Sequence, residues 1–505
     1  MKGTGASTPP PLAWVALALL AGPLPAQVTS VIEAAPLDQV HWGIYAVDGS
    51  DGRVLAEYQA ARKFIPASNQ KLLATAAALH FLGPGHRFQT AMLAAGELDG
   101  SGVLAGDLVL PGTGDPSLSA RFWGDDRAPL TALADSLRRA GVREVTGALV
   151  VDASLWDSTS LVGSWMVEDL PSSTAASGGA FAVAEGITTI TVVGGALPGE
   201  PAEVRWSPLG EEDFVVSRVE TVPAGGGEGP RITVGFLPQS RRLVLEGTIP
   251  RGGRRVLEVA TRDPVRQAAA ALARAVEEAG IPLRGGWRVA WEPGETLAGG
   301  CRSGELAACG ATLVAALSSP PLTEIARAVL GPSQNWIAEQ LVRSLGTVPG
   351  PRGCCGLEAL SGAHAGWEEG LALVEAFLVD TVGIDPLDLS LRDGSGLSVQ
   401  NLITPRALVR LLDYARSAPW GDAFRSALAE PGEEDSTLEN RLEGMEGRVF
   451  AKTGSLTHVA SLSGYLLRRD GGTVIFAILS NGAGLPSATL RDAIDRLVVL
   501  LAQGG

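Results

Sequence analysis

Lysine is rare in this chain, and two of its few lysines stand where an amine could do chemistry. Lys and Arg together number 40, yet only Lys2, Lys63, Lys71 and Lys452 are lysine. Arginine suffices wherever a charge need only be positive, whereas lysine can give up its proton and act as a base. Lys71 follows Ser68 by three residues in Ser68-Asn69-Gln70-Lys71, and Lys452 opens Lys452-Thr453-Gly454-Ser455. Between them, Ser333-Gln334-Asn335 adds a second hydroxyl and a carboxamide. An alcohol beside a neutral amine is equipped for covalent acyl transfer, with the amine as base. A free lysine is neutral in only about one molecule in 2,500 at pH 7. Lys71 therefore needs burial or a neighbouring cation to serve, and Lys452 is the candidate cation.

Other hydrolytic machinery fits less well. The five histidines are His41, His80, His86, His364 and His458, with no H-E-x-x-H among them and no G-x-S-x-G around any serine. His458 lies six residues past Lys452 and reads as an ordinary surface or core histidine.

The elements that must position these groups can be read from periodicity. A helix is predicted from near Ser68 through LLATAAALHFL, which places Ser68 and Lys71 on one face and Ser68 close to the N-terminal N–H groups. Ser333 falls in a loop opened by Gly331-Pro332, between predicted helices 321–330 and 335–345. Further helices are expected at 264–279, 367–382 and 405–416. Residues 40–47 and 53–58 read as a β-hairpin, and 448–451, 460–468 and 473–481 as a closing meander that carries Lys452. Each motif also has an ordinary structural explanation: Ser68 and Ser333 as helix caps, Lys452 as a lysine at a strand end. Their joint occurrence in suitable local structure favours the chemical reading.

At 505 residues the chain exceeds one ordinary domain. The expected division is a signal peptide over 1–26, an α/β unit in two parts (27–94 and 262–505), and a mainly-β insertion over 95–261, where Gly-rich turns punctuate short β-favouring runs. Lys2 and the apolar run Leu12–Gly22 suit a signal peptide and are too short to span a bilayer, which implies export, with cleavage near Ala26. No anchor is expected after cleavage, because charged Arg491, Asp492, Asp495 and Arg496 make the last stretch a packed helix. The net charge of −15 comes with scattered basic residues, which excludes a nucleic-acid surface. Cys301, Cys309, Cys354 and Cys355 suggest disulfides between the two clusters, since adjacent cysteines bond poorly to each other. No His stands at ligand spacing, so neither a metal nor a cofactor is expected.

Ser-x-x-Lys, Ser-x-Asn and Lys-Thr-Gly in this order form the set of penicillin-binding proteins and β-lactamases. Pro66-Ala67-Ser68-Asn69-Gln70-Lys71, Gly112-Thr113-Gly114-Asp115-Pro116, Asp393-Gly394-Ser395-Gly396-Leu397-Ser398 and the stretch Gly447–Leu456 narrow the match. On these, residues 40–500 resemble the low-molecular-mass class C penicillin-binding proteins, the D-alanyl-D-alanine carboxypeptidase/endopeptidases. The 265 positions between Ser68 and Ser333 suit that family's long insertion, whereas compact β-lactamases place these motifs closer together. The second motif has Gln where Asp is common, and Trp165–Leu170 and Phe181–Thr191 match only loosely.

The resemblance implies an α/β fold, a transpeptidase/β-lactamase-like antiparallel sheet of five strands flanked by helices. It implies a periplasmic enzyme acting on peptidoglycan stem peptides ending in D-Ala-D-Ala, with β-lactams as covalent inhibitors. Ser68 is then the expected nucleophile, Lys71 its base, and Ser333 the relay to the leaving amine. Asn335, Lys452, Thr453, Gly454 and Ser455 would hold substrate, with backbone N–H groups of Ser68 and Ser455 as the oxyanion hole. A β-lactamase, an esterase and a non-catalytic penicillin-binding scaffold are the alternatives. No Glu-x-x-Leu-Asn lies between Asn335 and Lys452 to activate a deacylating water, and the complete motif set argues against a dead site.

Overall fold

The computed structural model of the protein describes residues 23–207, 215–225, 229–236, 242–296, 311–347, 366–482 and 484–503. The expected disulfides and nearly all of the expected signal peptide lie outside these residues.

The first and last parts of the chain build one antiparallel sheet. Its order is Val449–Leu456, Val459–Leu467, Thr473–Asn481, His41–Asp48, Val54–Tyr58. The hairpin and the meander thus share an edge, His41 facing Asn481 and Asp48 facing Val474. Strands at the centre of a sheet covered on both faces read as continuous apolar runs. The Thr473–Asn481 strand does so, and alternate residues serve different layers. Val474, Phe476 and Ile478 pack beneath helices Leu24–Ile32 and Ser487–Gln503. Ile475, Ala477 and Leu479 face the layer containing helices Gln70–Leu82, Asn335–Leu345 and Pro405–Ser417. Helix Gln70–Leu82 is buried on every side from Gln70 to Leu79 and is mostly apolar, as a helix enclosed by its neighbours is, with Ala74, Ala76, Ala77 and Ala78 all buried. This is the α/β fold expected from the sequence.

The intervening chain forms a second unit. A six-stranded mixed sheet contains Trp287–Ala290, Leu149–Asp152, Val103–Pro111, Gln89–Leu98 and Ala311–Ser318 in that order, with Glu144–Val145 beside Val103–Pro111. Helices Ala128–Arg139 and Pro264–Glu278 bury Leu133, Leu137, Leu272 and Val276 in its core. Two three-stranded sheets, one from 215–222, 231–236 and 243–250 and the other from 187–193, 203–207 and 254–260, share a small core of their own around Ile190, Val219 and Leu245.

Two expected boundaries therefore move. Strand Gln89–Leu98 runs through the limit set at 94, because Gln89 to Ala95 pair with Ser318 to Ala311. Helix Pro264–Glu278 and the two strands after it lie past the limit at 261 yet belong to the six-stranded sheet. The inserted unit is mixed α/β in that part and all-β only in its two small sheets. Among the described residues no helix is long and apolar enough to cross a membrane, and the terminal helix packs Ile494, Leu497 and Val498 against the sheet.

Candidate active site

Ser68 lies in a single 3-10 turn, Ala67–Asn69, and the α-helix proper starts one residue later than Asn69, at Gln70. The turn is bound to the sheet. The Asn69 Nδ2 donates to the Lys452 carbonyl at 3.0 Å and to Ser461 Oγ at 2.8 Å, and Ser461 Oγ donates to the Pro66 carbonyl at 2.8 Å. Space there admits no extra atom: a Cβ at Gly454 would lie 2.1 Å from Ser461 Oγ and 2.7 Å from the Pro66 carbonyl oxygen. On the other side, Gly396 has φ of 86° and approaches the Ala67 carbonyl so closely that a Cβ would sit 1.9 Å from its oxygen. A left-handed backbone in contact with another backbone is a place only glycine fills.

Lys71 is buried, and its ammonium nitrogen meets three acceptors. It donates to Ser68 Oγ at 2.8 Å, Asn335 Oδ1 at 2.6 Å and the Ser395 carbonyl at 2.8 Å. All three N–H bonds of the charged form are thereby satisfied, and loss of one proton leaves a lone pair that can accept from Ser68. Burial is the main force on its proton affinity and brings its pKa down to about 7, against the opposing pull of the Glu339 and Asp393 carboxylates.

Asn335 opens helix Asn335–Leu345 and spans two units, since its Nδ2 donates to the Thr174 carbonyl at 2.7 Å. Gln334 caps the same helix by accepting from the Ile337 N–H, and its own amide donates to Glu185. The middle residue of the second motif thus serves the helix cap. Ser333 sits just before it, part-exposed, with φ of 68°.

Lys452 is fully buried in strand Val449–Leu456 and donates to the Thr453 carbonyl at 2.9 Å. Burial, and then the charge of Lys71, push its pKa well below the ordinary lysine range. At Lys71 burial lowers the proton affinity, and the cation expected of Lys452 is not among the causes, whereas the Lys71 charge does act on Lys452. Thr453 and Gly454 are buried at the same strand, while Ser455 is exposed. His458 is exposed in the tight turn between this strand and the next, and no metal-ligand cluster occurs among the described residues.

The structure thus brings Ser68, Lys71 and Asn335 into one hydrogen-bonded group and ties the Lys452 strand to the turn that carries Ser68. It also gives parts to groups for which the sequence suggested none. Asp393 accepts from the Gly396 and Ser398 N–H groups, Asn401 Nδ2 and Trp165 Nε1, which fixes the loop that offers the Ser395 carbonyl. Glu339 accepts from the Ser395 N–H at 2.8 Å, the Gly394 N–H at 3.0 Å and Trp367 Nε1 at 2.7 Å.

Comparison with known proteins places the chain in a family. The D-Ala-D-Ala carboxypeptidase 3 (S13) family matches residues 24–504. A D-alanyl-D-alanine carboxypeptidase of Actinomadura sp. (strain R39) is 33% identical over 486 residues, covering 92% of this chain and 82% of its own length. The carboxypeptidase DacB of Haemophilus influenzae is 25% identical, covering 87% of this chain and 85% of itself. The crystal structure of penicillin-binding protein 4 (dacB) from Haemophilus influenzae superposes with a TM-score of 0.77 at 24% identity, over 94% of this chain and 99% of that one. The resemblance read from the motifs is therefore borne out over nearly the whole chain, and the protein belongs to the D-Ala-D-Ala carboxypeptidase 3 (S13) family.

Proposed function

We propose that this family member is a serine-type D-Ala-D-Ala carboxypeptidase that works through an acyl-enzyme on Ser68. The observation that carries the reading is the contact of Lys71 Nζ with Ser68 Oγ at 2.8 Å, in a setting where burial brings the amine near neutrality at physiological pH.

Ser68 Oγ attacks the carbonyl of the penultimate D-alanine of a peptidoglycan stem peptide, and Lys71 takes the hydroxyl proton. Backbone N–H groups of Ser68 and Ser455 face the developing oxyanion, each donor worth about 3 kcal/mol in the transition state. As the tetrahedral intermediate collapses, a proton passes through Ser333 to the departing D-alanine amine and the C–N bond breaks. Water then opens the ester and returns Ser68 to its alcohol. Asn335 holds Lys71 and meets the substrate amide. Lys452, Thr453 and Ser455 grip the terminal carboxylate, and that anion supplies the counter-charge buried Lys452 otherwise lacks. Gly454 keeps the strand close to the nucleophile turn.

A β-lactam presents a carboxylate and a strained amide to the same groups. A β-lactam complex is known for the Haemophilus influenzae penicillin-binding protein 4. The apolar segment near the N-terminus suits export to the periplasm before cleavage near Ala26.

Mass mapping of a penicillin adduct, together with D-alanine release from a pentapeptide ending in D-Ala-D-Ala, tests this reading. The adduct is expected on the peptide containing Ser68 and is expected to vanish in Ser68→Ala. An adduct on any other residue, or labelling that persists in Ser68→Ala, would overturn it. Rapid turnover of a chromogenic cephalosporin would instead favour a β-lactamase.

A further inference from the structure

Glu339 is a fully buried carboxylate in the middle of helix Asn335–Leu345. It stands four residues after Asn335, and the motifs give it no role. A carboxylate without exposure is costly unless it is paired or well hydrogen-bonded. Its partners include Trp367 Nε1, the two consecutive N–H groups of Gly394 and Ser395, and the Ser395 side chain. The second of these peptides continues directly to the Ser395 carbonyl, which accepts from Lys71 at 2.8 Å. The loop can approach this helix only because Gly394 lacks a Cβ, which would lie 2.7 Å from the Ala338 carbonyl oxygen.

We propose that Glu339 is a positioning residue for the Ser68–Lys71 pair: through the Gly394–Ser395 backbone it aims the carbonyl that receives one Lys71 proton, and from behind that loop its charge opposes the ammonium. This inference rests on the reading of Ser68 as nucleophile and Lys71 as base.

The charges around the pair are few. Glu339 and Asp393 act on Lys71, Asp393 acts on Glu339, Lys71 acts on Lys452, and Glu339 acts, one helical turn along, on the buried Arg343 guanidinium. Burial, and then Asp393, raise the proton affinity of Glu339. Removing the Glu339 charge takes away the larger of the two pulls that hold a proton on Lys71. The amine then becomes neutral at lower pH.

The test is the pH profile of penicillin acylation in three proteins. In Glu339→Gln the acidic limb is expected to move to lower pH by about one unit or more, the usual effect of losing a near opposite charge. The plateau is expected to fall, because an amide cannot accept from all of these donors in the same place. Trp367→Phe removes one donor and weakens the carboxylate's hold on its charge, so its limb is expected to shift in the same direction by less. It carries the test if the Gln protein does not fold. Glu339→Asp keeps the charge and shortens the reach, so it should lose rate at every pH with its limb near the wild-type position. A folded Glu339→Gln whose limb coincides with wild type, or an unfolded one together with an unmoved limb in Trp367→Phe, overturns the proposal. Labelling that persists in a parallel Ser68→Ala control would instead overturn the underlying nucleophile assignment.

Discussion

At the scale of single residues, the site is organised around one amine with three acceptors. Since burial brings the Lys71 pKa to about 7, acylation is expected to rise as pH increases through neutrality, because the base works only after losing its proton. A stopped-flow profile with penicillin that is flat from pH 5 to 8 would contradict this. Lys71→Arg keeps the charge but not the titration, and it is expected to slow acylation by about 10²–10⁴-fold, the usual worth of a general base. Fluorescent-penicillin labelling at the wild-type rate would show that the base is another group. The chemistry was legible at this scale because titratable amines are scarce in the chain and acyl transfer constrains residue type. The supporting acceptors were not legible. The Ser395 and Thr174 groups are backbone carbonyls, which no letter of the sequence marks. Glu339 looks like the polar position of an amphipathic helix, and only the tertiary fold shows that Glu339, Gln340, Arg343 and Ser344 are buried with their apolar neighbours.

At the scale of elements, periodicity located most of what surrounds the site. Helices Asn335–Leu345 and Pro405–Ser417 and the last two closing strands fall within a few residues of their expected limits, whereas the first closing strand, expected at 448–451, runs on to Leu456 and holds Lys452 inside it. The helix expected at 367–382 ends as α-helix at Ala376 and continues as one π-helical turn over Phe377–Thr381. Pairing across long separations was beyond such reading, as Gln89–Leu98 with Ala311–Ser318 illustrates, because alternation within a strand does not identify its partner. One bond between elements makes a stability test. Tyr465, buried in the second closing strand, donates to the Leu412 carbonyl of helix Pro405–Ser417 at 2.7 Å. Tyr465→Phe leaves that carbonyl without this donor and is expected to cost about 1–2 kcal/mol. A lower urea midpoint at unchanged slope is the expected result, and an unchanged midpoint would deny the bond any weight.

At the scale of the whole molecule, the inserted unit is part of the site's architecture. Its 174–180 segment grips the helix that begins with Asn335. Besides the Thr174 contact, Gln340 Nε2 donates to the Gly114 and Gly179 carbonyls at 3.2 and 3.0 Å, and Arg343 donates to the Gly178 carbonyl at 2.9 Å. Gln340→Leu removes both amide bonds and leaves two carbonyls short of a donor. A loss of about 2 kcal/mol or more is expected, together with slower penicillin acylation as Asn335 loosens. Calorimetry and labelling rates check this, and an unchanged rate in a destabilised protein would confine the insertion to a purely architectural part.

The order of the five-stranded sheet governs when this protein can become reactive. Strand His41–Asp48 waits for Thr473–Asn481, and the turn bearing Ser68 waits for the strand bearing Lys452. A nascent chain that has already emitted its nucleophile therefore carries it as an ordinary serine until the strands over 449–481 have emerged. High contact order makes closure of this sheet a late event, so a chain stopped before residue 449 lacks the strand that its nucleophile turn is bound to.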